Sequence, residues 1–193
     1  MRLTLVTGPS SEPLTATEAK NHLRVDVSDE DAQISSWIVA ARKYVEQLTG
    51  RALMPQTWDV LFDDFACDQI WLPKAPVSAI THVKYYATNG TLTTLSSDAY
   101  LSELPAGDDA GLARIEPIYG TSWPIVQCRM SAVQVRIVCG YANAAAVPDG
   151  LKAAMKLLIG HWYANRESVV TGTISTEVQI GVTALIYPFK VIL

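Results

Sequence analysis

The sequence has no excess of positive charge and no long hydrophobic run. Its 193 residues carry 15 Lys and Arg against 19 Asp and Glu, a formal net charge of −4. That balance disfavours a protein that binds nucleic acid by neutralising phosphates. No apolar run approaches the roughly 18 residues of a membrane span, and the apolar start of the chain is too short for a signal peptide. We therefore expect a soluble, intracellular protein with no membrane partner.

Cysteine is scarce as well. Cys67, Cys128 and Cys139 are odd in number and have no Cys-x-x-Cys spacing. This argues against a disulfide framework and against a zinc site. We interpret all three as buried thiols, which suits a reducing compartment.

The usual catalytic signatures are also missing. There is no G-x-S-x-G nucleophile motif, and the glycines at Gly8 and at Gly107 and Gly111 do not form a phosphate-binding G-x-x-x-x-G-K loop. We therefore predict that the protein is not an enzyme. We assign it no catalytic, cofactor-binding or metal-binding residue and expect no cofactor.

Scattered polar residues leave one catalytic alternative open. The histidines, which are His22, His82 and His161, show no metal-ligand spacing. His161, beside Trp162 on a core-facing helix, is more simply a packed residue or a contact with a partner. Carboxylates of the kind that bind divalent cations occur at Asp29–Asp31 and Asp63–Asp64. The first group also suits a helix start, where the dipole favours negative charge. The alternative is a metal-dependent hydrolase that uses Asp63, Asp64 and His82.

Both ends of the chain carry helical signals. Thr15 followed by Glu18 is a capping box and predicts a short helix through about Leu23. A longer helix is predicted from Ser28 to Thr49, ended by Gly50. Its apolar stripe consists of Ile34, Ile38, Ala41, Val45 and Leu48. Another helix follows Pro148 to about residue 165, with a stripe of Leu151, Met155, Leu158 and Trp162.

The middle of the chain has strand signals. Short β-branched or aromatic runs are divided by prolines and by Asn89-Gly90, a hairpin signal. The predicted strands are 57–62, 70–72, 80–86, 91–95, 100–101, 113–115 and 133–139. The fold class is thus α+β: a small helical core from residues 1–50 and 148–193, interrupted by an inserted antiparallel β-sheet subdomain from 51–147. We expect helix 28–49 to pack on helix 149–165 through their stripes.

The C-terminal tail is unusually apolar. After a last helical turn or two at 182–187, it consists of Pro188 and then Phe189, Lys190, Val191, Ile192 and Leu193. On a monomer such a tail either folds back onto the core or docks into a partner. Aromatic residues outside clear core positions, which are Tyr119, Trp123 and Tyr141, suit either a contact surface or the core of the sheet.

In order and spacing, segments along nearly the whole chain resemble the head-tail connector proteins of tailed bacteriophages, also called adaptor or neck proteins. The branch with a β-rich insertion between the helices is the most similar. The resembling segments are Glu12–Thr15, Glu18–Val25, Asp29–Asp31, Tyr44–Glu46, Thr49–Leu53, Gln56–Trp58, Leu72–Pro73, Pro76–Val77, Cys139–Tyr141, Val147–Pro148, His161–Tyr163 and Asn165–Glu167.

The resemblance implies a structural virion subunit in the neck, between capsid and tail, assembled in the host cytoplasm. The implied partners are the portal protein, copies of the chain itself in a ring that is commonly a dodecamer, a tail or stopper protein, and double-stranded DNA that passes without sequence-specific binding. The C-terminal segment reaches toward the portal in this family, which implies a docking role for Phe189, Lys190, Val191, Ile192 and Leu193. Net acidity suits a conduit through which DNA slides.

Three alternatives remain open at the sequence level. One is another virion part, such as a tail-completion or head-decoration protein, and the second is the metal-dependent hydrolase. The third is a nucleic-acid binder, which steep salt dependence of DNA retention would reveal.

Overall fold

The computed structural model describes residues 1–65, 68–108, 110–166 and 176–191. Within them, the helices are α1 (Ala16–Leu23), α2 (Asp31–Thr49), α3 (Asp149–Ala164) and α4 (Thr176–Ile186). The strands are β1 (Arg2–Thr7), β2 (Gln56–Phe62), β3 (Ile70–Leu72), β4 (Val77–Tyr86), β5 (Leu92–Leu95), β6 (Tyr100–Glu103), β7 (Ala113–Pro117) and β8 (Val133–Cys139). The predicted α+β class is confirmed. None of the described helices combines the length and apolar character needed to cross a membrane.

The chain divides into two compact units. The sheet unit contains Met1–Pro9 and Pro55–Gly140, and the helical unit contains Ser10–Met54 and the described residues from Tyr141 to Val191. The first nine residues, which the sequence predicts in the helical core, thus belong with the sheet. The reason is that β1 pairs antiparallel with β2.

The sheet unit contains two antiparallel sheets. The larger has the strand order β1-β2-β8-β4-β5, and the smaller has the order β3-β7-β6. Strand β8 lies at the centre of the larger sheet and alternates strictly, with Val133, Val135, Ile137 and Cys139 buried. Its neighbour β4 shifts register against it at two points, between Val77 and Ala79 and between Ile80 and His82. The hairpin between β4 and β5 turns at the predicted Asn89-Gly90, where Gly90 has φ +84°.

Residues close together in the sequence set the ends of the first two helices of the helical unit. Thr15 and Glu18 make the predicted capping box, in which the Glu18 amide donates to Thr15 Oγ1 over 3.1 Å and Glu18 Oε2 accepts from the Thr15 amide over 2.8 Å. Helix α2 begins at Asp31, three residues after the predicted start at Ser28, and its N-cap is Glu30 without a side-chain hydrogen bond. It ends at Gly50 in the left-handed conformation, as predicted.

The core of the helical unit joins α2 to α3 as the apolar stripes predict. Three of the four predicted residues of α3 are buried, while Leu48 at the end of the α2 stripe is 37% exposed. The core cluster consists of Leu14, Ala19, Ile34, Ile38, Ala41, Val45, Leu53, Met54, Tyr141, Val147, Leu151, Ala154, Met155, Leu158, Ile159, Val182 and Ile186. Trp162 packs against this cluster while remaining partly exposed.

One cluster of charges is buried in the helical unit. Arg42 is 5% exposed and donates to Glu12 over 2.7 Å and to Glu46 over 2.9 Å. Glu46 also accepts from the Leu53 amide over 2.9 Å. A buried guanidinium is stable only when its charge is compensated and its donors are satisfied. This cluster thereby fixes the segment before α1 and the segment after α2 to one point of α2.

The cysteine prediction is wrong for one residue. Cys139 is buried in β8, but Cys128 is exposed, because it lies in the irregular segment between β7 and β8 and not in a strand. Cys67 lies outside the described residues.

Candidate docking segment

The candidate docking segment begins where α4 ends. Pro188 stops the α-helix, and Tyr187–Phe189 form a single turn of 3-10 helix. Phe189 is partly buried and packs against the core of the helical unit. The Val191 amide donates to the Thr49 carbonyl over 2.8 Å. Lys190 is exposed. The described part of the segment therefore lies on the helical unit, with its charged residue in solvent.

Arg51 binds the docking segment through a hydrogen bond to its backbone. Its side chain is almost fully buried, and its Nε donates to the Phe189 carbonyl over 2.5 Å. Its Nη1 donates to the Tyr141 hydroxyl over 3.3 Å. The Arg51 side chain, just after α2, thus joins Tyr141, where the chain returns to the helical unit, to the C-terminal segment.

Two glycines allow this close approach. Gly50 has φ +72°, and a Cβ at this position would lie 3.1 Å from the Val191 carbonyl oxygen. At Gly150, near the start of α3, a Cβ would lie 2.9 Å from Cε2 of the Phe189 ring. The seat of the segment is therefore made by Gly50, Arg51 and Gly150, and its base is fixed by backbone hydrogen bonds.

The docking role that the resemblance implies for Phe189–Leu193 stays a prediction. Ile192 and Leu193 lie outside the described residues. Sequence reasoning missed Arg51 as the residue that seats the segment, because its acceptor lies 138 positions away. The only hint in the sequence was that Arg51, a cation, directly follows the helix-ending Gly50 and has no obvious partner nearby in the sequence.

The aromatic residues noted in the sequence have three different environments. Tyr119 is fully exposed. Trp123 stacks on Phe65, with ring centroids 4.7 Å apart and planes at 5°. Tyr141 is buried in the core of the helical unit and accepts the hydrogen bond from Arg51. Only Tyr119, among these three, is therefore free to act as a surface contact with its whole ring.

The three residues of the hydrolase alternative do not meet. Asp63 Oδ1 accepts from the Ser131 amide, and Asp64 Oδ1 accepts from the Phe65 amide, each over 2.8 Å. His82 shares a cross-strand row with Asp59 of β2, and Asp63 follows Asp59 by four residues, beyond the end of that strand. Across the described part of the chain, no group of three or more His, Cys, Asp or Glu side chains could hold a metal ion. The described residues thus do not bring Asp63, Asp64 and His82 together as a metal site.

Two of the three acidic residues at the start of α2 form ion pairs within the helical unit. Asp31 accepts from Lys20 Nζ over 2.8 Å, and Glu30 accepts from Arg166 over 2.5 Å. The hydrogen bond from Arg166 is the main cause of the lowered pKa of Glu30. These contacts link α1 and the end of α3 to the beginning of α2, which is a structural role.

A row of polar side chains crosses the larger sheet. Asp59, Arg136 and His82 lie opposite one another on β2, β8 and β4. Arg136 donates to both oxygens of Asp59, over 2.7 and 2.9 Å, and these hydrogen bonds hold the pKa of Asp59 below its ordinary value. Burial lowers the pKa of His82, and the nearby Lys84 and Arg136 lower it further. The row thus combines a cross-strand salt bridge with a histidine whose pKa is lowered.

The other histidines have no catalytic arrangement. His22 is exposed on α1, and Gly160 of α3 lies near its ring. The His161 ring nitrogen Nδ1 lies 3.3 Å from the Asn165 side-chain amide. Both residues therefore have ordinary surface or helix-end contacts.

Comparison with known proteins relates the chain to one protein family and to three solved structures. Residues 14–107 match the family described as phage gp6-like head-tail connector protein. No curated protein matches the sequence. In a solved structure of the neck of an empty gene transfer agent (GTA) particle, computed with C6 symmetry, one chain is 25% identical at a TM-score of 0.78. The match covers 100% of this chain and 97% of that one.

Two further solved structures show the same fold. A chain of the virion of a native GTA particle is 24% identical at a TM-score of 0.82, and one of the native neck computed with C12 symmetry is 23% identical at 0.78. Each match again covers 100% of this chain and 97% of the other. The family match spans the first helices and much of the sheet unit, and the structural matches extend the similarity over the whole chain. Residues 14–107 therefore match the family of phage gp6-like head-tail connector proteins, the family that the resemblance predicted.

Proposed function

We propose that this connector protein is a structural subunit of a ring in the virion neck, beneath the portal, and that the ring continues the DNA channel toward the tail. The observation that carries the proposal is the match over the full chain to proteins of GTA necks and virions. Two of those structures were computed with sixfold and twelvefold symmetry. A subunit of such a ring contacts its neighbours through two different faces.

The charge of the chain supports passage of DNA rather than retention. A net charge of −4 gives no general attraction to phosphates. A conduit works only if DNA moves through it without stable binding, and weak repulsion serves this purpose. The role proposed is therefore structural, and the chain's own residues carry out no chemical step.

The C-terminal segment, Phe189–Leu193, is the proposed contact with the portal. The segment is apolar apart from Lys190, and its base is held by Arg51 and by the backbone of Thr49. A segment fixed at its base loses less conformational freedom on binding than a free tail, so more of its burial contributes to affinity. Neighbouring copies, a tail or stopper protein, and passing double-stranded DNA complete the proposed set of partners.

Electron microscopy of the protein mixed with its cognate portal ring, compared with each component alone, tests this function. We expect a second ring stacked on the portal, with an opening wide enough for duplex DNA. An intact portal that gains no density at saturating protein would overturn the portal-facing role. In that case labelling of the protein in whole particles would distinguish a tail-completion position from a head-decoration position.

A further inference from the structure

The five-stranded sheet ends in two strands that are paired on one side only. Strand β1 pairs with β2 and β5 pairs with β4, and no further strand of the described chain lies beyond either of them. Five of the six residues of β1 are exposed, as are Leu92 and Thr94 of β5. Because outward backbone N–H and C=O groups line such an edge, each edge can accept another strand.

These two edges lack the features that usually prevent pairing. Neither strand contains a proline, and their one charged residue is Arg2, at the beginning of β1. Leu5 and Leu92, each nearly half exposed, add apolar surface beside the backbone. The smaller sheet differs, since β3 has three residues and is followed by Pro73, and β6 ends at the charged Glu103. The unprotected edges are therefore those of the larger sheet.

The directions of the two edge strands suit a head-to-tail contact. All four pairings in the larger sheet are antiparallel, so strand direction alternates across it. With five strands, β1 and β5 run in the same direction. Subunits related by rotation about a ring axis keep that direction, and β5 of one copy would meet β1 of the next as a parallel pair. Contact between two like edges would instead close a two-fold dimer.

We propose that β5 of one subunit pairs in parallel with β1 of the next, so that the larger sheets of a ring join edge to edge. The occupant of each edge is thus a second copy of this chain. The inference rests on the proposed ring and names the surface through which its neighbours meet.

The length of the edges sets the strength of the contact. Strands of six and four residues give a short ladder, and a two-stranded ladder of this size is marginally stable in water. Two free subunits therefore pair weakly. A portal that holds subunits side by side raises their effective concentration, and the same short ladder then forms around the ring. The expected state without a portal is a monomer.

A pair of introduced cysteines tests the contact. Thr4 of β1 and Thr94 of β5 are exposed and lie on the same face, because their rows meet β8 at Arg136 and Gln134, two residues apart. Within one subunit they are separated by four strand spacings, roughly 19 Å. A disulfide needs Cα atoms within about 7 Å. In the variant T4C/T94C, a link between the two introduced thiols would therefore join two different subunits.

The experiment uses the full chain assembled on its portal. The variant T4C/T94C is made with Cys67 and Cys128 replaced by Ser and is treated with a short bismaleimide, which tolerates a small shift in register. We expect a ladder of cross-linked species on denaturing gels up to the full ring. The matched control is T4C/S102C, which places the second cysteine on the exposed β6 of the smaller sheet, and it should give no ladder.

Each outcome decides one question. A ladder from T4C/T94C that is absent from the control supports the edge contact. Rings visible by microscopy without a ladder overturn the contact and leave the proposed function standing. Dimers from T4C alone would show a two-fold contact between like edges and would also overturn it. Failure of the unsubstituted protein to form rings on the portal overturns the proposed function, and the edge contact with it.

Discussion

Gly50 and Gly150 determine how closely the C-terminal segment approaches the helices. A Cβ at Gly50 would come within 3.1 Å of the Val191 carbonyl oxygen, and the positive φ of Gly50 adds backbone strain for any other residue. A Cβ at Gly150 would meet the Phe189 ring at 2.9 Å, which is shorter than van der Waals contact. A methyl group at Gly150 is therefore enough to displace the Phe189 ring.

The variant Gly150→Ala is expected to be less stable than the wild type by about 1 kcal/mol. Replacing Gly by Ala inside a helix ordinarily stabilises by about 0.5–1 kcal/mol, but here the methyl group displaces the Phe189 ring and its packing is lost. Thermal melting measures the effect. The control is Gly160→Ala, where the nearest atom, His22 Nε2, lies at an ordinary 3.5 Å. Equal stability of the two variants would contradict the close contact.

Acid should weaken the salt bridge of Asp59 with Arg136. Because the hydrogen bonds from Arg136 lower the pKa of Asp59 in the folded state, the pair contributes fully above the ordinary carboxyl pKa. That contribution is lost as the pH falls through the lowered folded-state pKa. We expect Asp59→Asn to reduce the free energy of unfolding at pH 7 by about 1–3 kcal/mol.

Urea unfolding at pH 7 and at pH 3 checks this prediction. The difference in unfolding free energy between wild type and Asp59→Asn should shrink at the lower pH. Asp26→Asn removes an exposed carboxylate and serves as the control, with little effect at either pH. A difference that stays constant between the two pH values would show that the charge of Asp59 is not what stabilises the sheet.

At the scale of the elements, the sequence predicted what depends on near neighbours in the chain. The capping box of α1 involves residues three apart, and the strict alternation of β8 is a property of seven consecutive residues. The start of α2 was placed too early because Ser28 looks like a cap, whereas its backbone carbonyl accepts from Asp31 and its side chain caps nothing. Strand β1 was missed because its pairing partner begins 49 residues after it ends.

The seat of the docking segment could not be predicted for the same reason. Arg51 bonds to Phe189, and a Cβ at Gly150 would contact the same residue. Both contacts depend on the course of the chain between residues that are distant in sequence. The apolar character of the tail was visible in the sequence, but the choice between self-packing and docking depends on contacts of this kind.

Two substitutions in α2, one at a buried and one at an exposed position of its apolar stripe, test the packing of α2 on α3. Ile38→Asp places a carboxylate at an apolar core position that is 3% exposed, and should unfold the helical unit. Leu48→Asp, at the 37% exposed end of the same stripe, should change the unfolding free energy by less than about 1 kcal/mol. Circular dichroism and thermal melting report both. A folded Ile38→Asp protein of normal stability would contradict the packing.

At the scale of the whole molecule, the proposed function gives the C-terminal segment a partner. Truncation after Tyr187 removes Phe189 and Val191 with the rest of the tail, and truncation after Val191 removes only Ile192 and Leu193. We expect both proteins to bind the portal less tightly, because apolar contact area is lost. Co-sedimentation with portal rings measures binding.

Truncation after Val191, the smaller deletion, separates an effect on docking from an effect on folding. It keeps the contacts of Phe189 and Val191 with the helical unit, so its melting temperature should match that of the full chain. Weaker portal binding at unchanged melting temperature would identify direct docking. Unchanged portal binding after truncation at Tyr187, the larger deletion, would refute the role of the tail.

The division of the chain into two interleaved units sets an order for folding during synthesis. Residues 10–54 leave the ribosome first, but their partners in the helical unit begin at Tyr141, after the 86 residues from Pro55 to Gly140. At about 5–20 residues per second, that delay is roughly 4–17 s. The apolar stripe of α2, with Ile34 and Ile38, is exposed throughout it. The sheet unit is complete first, and nascent chains are most vulnerable to aggregation and to host proteases before translation reaches α3.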